Sequence, residues 1–147
     1  MLKLYLFEDH FVNSKNVRFL VIDDVNVMTK LISQFLSEFG FSDILCAEDG
    51  RVAMNLLIQE YAAENPIDFV IADINMPNMN GIDLLKTCRE DVRFHSLPIL
   101  LLTSESEKSL VISAILLGVD DYLLKPFTKE DLHQKIKKAL GKKTPQK

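Results

Sequence analysis

The sequence predicts an α/β fold: an open parallel sheet with helices on both faces. Two observations carry this. Five short apolar runs, Arg18–Ile22, Ile44–Ala47, Phe69–Ala72, Ile99–Leu102 and Tyr122–Leu124, show little polar/apolar alternation, as strands covered on both sides do. Five segments with apolar residues at helical spacing follow them in turn. A strand–helix alternation repeated five times closes into a doubly wound parallel sheet with right-handed crossovers.

The first helical segment is Val27–Phe39, with Val27, Leu31, Ile32, Phe35, Leu36 and Phe39 at helical spacing and Gly40 where a C-terminal cap glycine belongs. The second, about Gly50–Tyr61, places Val52, Ala53, Leu56 and Leu57 on one side. The third is Ile82–Arg89, and the fourth is Lys108–Leu117, stopped by Gly118. The fifth is Lys129–Leu140, with Thr128 as N-cap, Asp131 in the first turn and Gly141 after the end. Residues 1–16 stand outside the alternation; an extra strand, a docking arm and a flexible leader all remain open for them. The tail 141–147 is basic, contains proline and is expected to fray.

The chain of 147 residues is the size of one domain, and its hydrophobic fraction of 48% is that of a packed globule rather than a disordered chain. A net charge of −4, spread along the chain, gives no support to nucleic-acid binding. Cys46 and Cys88 both lie in apolar periodic segments and read as reduced, buried thiols of a cytoplasmic protein; without ligand-spaced histidines they make no zinc site. No apolar run reaches membrane-spanning length, and Leu2–Phe7 is too short for a signal peptide, with Glu8 and Asp9 at its end.

Ligands of an open parallel sheet bind beyond the carboxyl ends of its strands, where the strand order reverses. Just past those ends stand Asp23 and Asp24, then Asp73, then Thr103 and Ser104, then Lys125 and Pro126. Glu48 and Asp49 follow the second strand, an outer one, and carry less weight. Three carboxylates brought together repel one another, and Lys125 alone cannot balance them. Either some are protonated or a cation sits among them; an all-oxygen set suits a hard divalent ion such as Mg²⁺. Taken singly, Asp23 or Asp49 reads as a helix cap or turn residue. Convergence at one sheet edge is what such roles leave unexplained. A metal, a hydroxyl and an ammonium describe a phosphoryl site. Asp73, alone at the tip of a buried strand, is the candidate acceptor of an acyl phosphate.

"VIDD" (Val21–Asp24), "DINMPNMNG" (Asp73–Gly81), "LLTSES" (Leu101–Ser106) and "YLLKPF" (Tyr122–Phe127) resemble, in order and spacing, the receiver domain of two-component response regulators. The resemblance covers residues 17–140 and is nearest to the single-domain chemotaxis (CheY-like) type. It implies a flavodoxin-like (βα)5 fold with strand order 2-1-3-4-5. It implies that Asp73 is the phosphoacceptor, that Asp24 binds Mg²⁺ directly with Asp23 acting largely through water, and that the Asn75 carbonyl completes the protein's coordination. Lys125 resembles the lysine paired with the acceptor, Thr103 the switch hydroxyl, and Tyr122 the aromatic that turns inward when that hydroxyl moves. The Lys125–Pro126 bond is expected to be cis. Asn75 and Glu105 flank the approach of a hydrolytic water and tune the phosphate's lifetime. Ser104 stands in place of the commoner alanine and Asn80 in place of the commoner aspartate; either residue can cap at position 80.

The resemblance also implies partners: a sensor histidine kinase as donor, a downstream protein such as the flagellar motor switch, and a phosphatase. The output face would be Lys108–Leu117, the fifth strand and the last helix. One feature points to that face independently. "KSLVISAILLG" is apolar nearly all round, so some of Leu110, Val111, Ile115 and Leu116 should be exposed unless the N-terminal leader covers them. With too few residues after the last helix for a DNA-binding domain, the chain is expected to act by binding partners, not as an enzyme beyond self-catalysed phosphotransfer and dephosphorylation. Phosphorelay intermediates and phosphate sinks would share this site. A haloacid dehalogenase-type phosphatase wants an acid where Asn75 stands. In a flavodoxin, Asp23 and Asp24 would repel the FMN phosphate.

Overall fold

A computed structural model describes the backbone of residues 5–7, 10–12 and 17–143 and the side chains of residues 17–141. Residues 144–147 of the expected basic tail lie outside it. Part of the N-terminal extension is strand: β1 (Tyr5–Phe7) and β2 (His10–Val12) pair antiparallel as a separate two-stranded sheet.

The main sheet contains β3 (Arg18–Ile22), β4 (Asp43–Ala47), β5 (Phe69–Asp73), β6 (Ile99–Thr103) and β7 (Asp121–Leu124). Their order is β4-β3-β5-β6-β7 and every pairing is parallel, which is the flavodoxin-like order expected. The helices are α1 (Asn26–Glu38), α2 (Gly50–Ala62), α3 (Gly81–Arg89), α4 (Lys108–Leu116) and α5 (Lys129–Lys143). Alternate residues of each strand feed two cores. Leu20, Ile22, Val70, Ala72, Ile99 and Leu101 pack with residues of α2, α3 and α4. Phe19, Val21, Phe69, Ile71, Leu100 and Leu102 pack with residues of α1 and α5. Each of the larger side chains contributes roughly 1.5–3 kcal/mol when fully buried, so the two layers can carry an edge where like charges meet.

Four expectations need correction. Cys46 is exposed, while Cys88 is buried with its thiol pushed up to about 11 by that burial. The reason is topological: β4 is the sheet edge, where Ser33 Oγ of α1 lies 3.5 Å from Cys46 Sγ. Val27 and Leu31 also face solvent, Val27 at 75%. The helix is seated through Thr29, Ile32 and Leu36, and at 100° per residue Val27 and Leu31 fall on the opposite side. Gly141 does not end α5, which runs on to Lys143. Finally, the strands of the second to fifth runs each gain one polar end residue: Asp43, Asp73, Thr103 and Asp121. The other cap assignments hold. Gly40 has φ 100° after α1, and Thr128 and Asp131 exchange N–H bonds at 3.0 and 3.1 Å at the start of α5.

Helix α4 buries only Ala114, and Ile112, Ile115 and Leu116 are exposed, Leu116 at 83%. Leu110 and Val111 are half-buried.

Arg89 ties α3 to the rest of the sheet. Its guanidinium donates to the carbonyls of Gly118 (3.0 Å) and Leu97 (2.9 Å) and to Asp120 Oδ1 (2.8 Å), which also accepts the Ile99 N–H (2.8 Å). Removing the arginine takes a donor from each of these acceptors and the opposite charge from the Asp120 carboxylate. Arg89→Ala is expected to cost about 3 kcal/mol. Guanidinium chloride unfolding measures it; a loss below about 1 kcal/mol would show the clamp to be ornamental.

Candidate phosphoacceptor site

The sheet order reverses between β3 and β5, and these neighbours run in register with Ile22 opposite Ala72. The next residues, Asp23 and Asp73, therefore emerge side by side. Asp73 is the last residue of β5 and Asp23 follows β3; both are buried, and Asp24 beside them is exposed. One carboxylate oxygen from each of the three lies within 4.8 Å of the others. Lys125 follows β7, its N–H donating to Thr103 O at 2.7 Å. Its ammonium stands 3.3 Å from Asp73 Oδ1 and 3.6 Å from Asp23 Oδ2. The Lys125–Pro126 peptide bond is cis, and Pro126 is exposed.

The charges do not balance. Burial raises the Asp73 carboxyl above its ordinary value; Lys125 pulls it back, and Asp23 pushes it up again. Asp23 is raised in the same way, by burial first and with Asp24 adding repulsion, against the Val25 N–H bond (2.9 Å) and Lys125. Asp23 Oδ2 is a buried oxygen with no hydrogen bond. A buried carboxylate oxygen with no hydrogen bond, 3.6 Å from the Lys125 ammonium and beside two further carboxylates, fits a hard cation held by oxygen.

Around this centre the expected residues divide. Asn75 is exposed on the loop after β5, its N–H at 3.4 Å from Asp73 Oδ1. Thr103 ends β6 and is 1% exposed. Ser104 is half-buried and Glu105 exposed. Tyr122 is exposed on β7, with Lys135 Nζ 5.7 Å from its ring centroid. Asp49 stands apart. It caps α2 by accepting the N–H groups of Arg51 (2.8 Å) and Val52 (2.9 Å), and its other oxygen holds Asn78 Nδ2 at 2.8 Å. Asn78 has φ 64°, so Asp49 anchors the turn of the acceptor loop. Those bonds, Val52 first, lower its carboxyl. Asn80 caps α3 by accepting the Asp83 N–H at 2.9 Å.

One residue near the site was not foreseen. Glu107 Oε1 accepts from Ser104 N at 2.8 Å, Ser104 Oγ at 3.1 Å and Thr103 Oγ1 at 3.2 Å. The signal was present as Ser104-x-x-Glu107, the spacing of a capping box.

The response regulator receiver domain matches residues 19–137. The chain belongs to this family. The receiver is 41% identical over 125 residues to chemotaxis protein CheY1 of Helicobacter pylori, covering 85% of this chain and 98% of that protein. It is 38% identical over 125 residues to chemotaxis protein CheY-3 of Vibrio cholerae, covering 85% and 92%. In structure it is similar to a response regulator receiver domain protein from Clostridium thermocellum, with TM-score 0.77, 28% identity and coverage of 86% and 96%. It is also similar to chemotaxis response regulator CheY4 of Vibrio cholerae, with TM-score 0.72, 28% identity and coverage of 84% and 98%. CheY-like receivers are signalling proteins rather than conventional enzymes, and they interact with histidine kinases and downstream targets. Among the described residues, no helix of this receiver is long and apolar enough to cross a membrane.

Proposed function

We propose that this receiver is a cytoplasmic response regulator in which Asp73 accepts a phosphoryl group from a phosphohistidine of a sensor kinase. The observation that carries the reading is the buried Asp73 at a strand tip, 3.3 Å from the Lys125 ammonium and clustered with Asp23 and Asp24. A carboxylate oxygen of Asp73 attacks phosphorus, the P–N bond breaks, and the imidazole nitrogen keeps the electron pair. Asp23, Asp24, Asp73 and the Asn75 carbonyl would hold Mg²⁺. When bound, Mg²⁺ supplies positive charge against the phosphoryl oxygens. Lys125 adds the second cation, and Thr103 offers its hydroxyl to one phosphoryl oxygen.

The new charge, roughly −2, biases a two-state equilibrium. Thr103 moves toward the phosphoryl group and Tyr122 turns inward behind it. The face of α4, β7 and α5 then changes its affinity for a partner. Exposed Ile112, Ile115 and Leu116 supply that face with an apolar patch. The chemotaxis names of the relatives favour a flagellar motor switch protein as the partner, and a phosphatase would end the signal. Asn75, whose amide neither gives nor takes a proton, argues against a dehalogenase-type phosphatase, and with Glu105 it would set the phosphate's lifetime.

Intact mass after incubation with acetyl phosphate, with and without Mg²⁺, tests the reading. One Mg²⁺-dependent phosphoryl increment is expected, followed by stronger binding to a motor switch protein. A folded chain that stays unmodified with both acetyl phosphate and a phosphorylated kinase would sink it.

A further inference from the structure

The Thr103 hydroxyl has one proton and two acceptors in reach: Ser104 O at 3.3 Å and Glu107 Oε1 at 3.2 Å. The carboxylate is the stronger acceptor because it is charged. Thr103 is buried at the end of β6, next to the strand that carries Asp73, and Ile74 N donates across to Leu102 O at 2.9 Å. The same Glu107 oxygen holds the N–H and hydroxyl of Ser104 and so closes the 3-10 turn Glu105–Glu107.

We propose that Glu107 is a positioning residue that restrains the switch: its carboxylate holds the Thr103 hydroxyl in the resting state and competes for it with a phosphoryl oxygen. The inference rests on the phosphoacceptor reading and adds to it the group that sets the threshold. Both acceptors are anions, so activation exchanges one charge-assisted hydrogen bond for another and the net difference is small. A small difference keeps both conformations accessible, and the residue that tilts it sets how much phosphorylation is needed. Ser104 has no need to leave Glu107 when Thr103 does. The turn therefore stays closed while the hydroxyl departs, and the change is a local rearrangement rather than an unfolding of the loop.

The test uses the full chain, Mg²⁺ and beryllofluoride, a stable mimic of an acyl phosphate, followed by amide NMR shifts. Glu107→Ala is expected to reach half-conversion at about fivefold lower beryllofluoride than wild type, the effect of one lost hydrogen bond. Glu107→Gln, which keeps an acceptor but no charge, should fall between. In a Thr103→Val background, which removes the hydroxyl at nearly constant volume, Glu107→Ala should change nothing. An equal gain in that background would mean that charge removal or a looser turn is the cause, and it would overturn the proposal. So would an unchanged midpoint in Glu107→Ala. A second readout needs no ligand: three-bond couplings should report one Thr103 χ1 rotamer in wild type and averaging in Glu107→Ala, whereas a purely capping glutamate would leave that rotamer fixed. Wild type that gives no Mg²⁺-dependent response to beryllofluoride would defeat the phosphoacceptor reading itself, a result separate from a responding wild type with indifferent Glu107 variants.

Discussion

Asp73→Asn is expected to take up no phosphoryl group from acetyl phosphate in Mg²⁺ and, without Mg²⁺ at neutral pH, to melt above wild type. The first half follows from chemistry. The amide fills the same volume at the tip of β5 but has no anionic oxygen to attack phosphorus. The second half follows from the balance of charges in the apo site. Burial raises the Asp73 carboxyl above 3.8, Asp23 adds to it, and Lys125 at 3.3 Å only partly offsets the two. A carboxyl raised in the folded state contributes its stability fully below the unfolded value and loses it as pH rises through the folded value. At neutral pH wild type therefore carries a penalty that the amide does not. The expected gain is a Tm higher by roughly 2–4 °C, the shift that about 1 kcal/mol produces in a domain of this size. The difference should shrink toward zero as pH falls below the ordinary carboxylate value of 3.8, where the folded and unfolded wild type both bind the proton. Added Mg²⁺ should then raise wild type more than the variant, because it relieves a repulsion that the variant has already lost. Scanning calorimetry across pH, with intact mass alongside, checks both halves. A variant that labels like wild type would move the acceptor elsewhere. One that melts lower at neutral pH would mean that the Lys125 pair outweighs desolvation after all.

The fold was readable because the strands that matter are buried on both faces. Phe69–Ala72 and Ile99–Leu102 appear in sequence as unbroken apolar runs, and burial makes them so. The acid cluster was readable for the same reason, since a polar residue that follows such a run has one place to go. Edges and helix faces were harder. Cys46 sits in an apolar run like those of the buried strands, yet β4 lies at the edge, a fact that belongs to the strand order and not to the run itself. Val27 and Leu31 satisfy a helical period, but a period fixes a stripe only once the packed side is known, and Thr29, a polar residue, occupies that side. Glycine weakens helices by about 1 kcal/mol, so Gly141 suggests a stop, a local preference that α5 overrides. Glu107 is hidden in the sequence for a different reason. Its contact with Thr103 spans four residues but requires a tight turn between them. The sequence shows the capping box, not that its carboxylate also reaches a strand residue behind it.

Gly81→Ala is expected to lower stability by about 2 kcal/mol and to slow phosphoryl uptake by roughly 10-fold or more. Gly81 opens α3, where alanine would ordinarily be the better helix former by about 1 kcal/mol. Space reverses the preference. A Cβ at this position would stand 2.7 Å from Asp73 O, 2.8 Å from Ile74 Cα and 3.1 Å from Leu101 Cδ2. The first two are backbone atoms and cannot rotate away, so either α3 shifts outward or the end of β5 moves. Gly81 N donates to Ile74 O at 3.0 Å, which joins the helix start to the residue after the acceptor. Lifting α3 loosens that bond and the packing of Leu84 and Leu85, both fully buried. Moving β5 displaces Asp73 from its place 3.3 Å from Lys125. Overpacking of this kind costs about 1–3 kcal/mol, and a misplacement of about 1 Å at a reacting group can cost 100-fold in rate. Urea unfolding midpoints and the rate of mass gain from acetyl phosphate report the two effects separately. If stability falls and the rate holds, the helix has yielded and the strand has not. If both fall, the strand tip has moved. A variant as stable and as fast as wild type would show that α3 is not seated against the residue that receives the phosphoryl group.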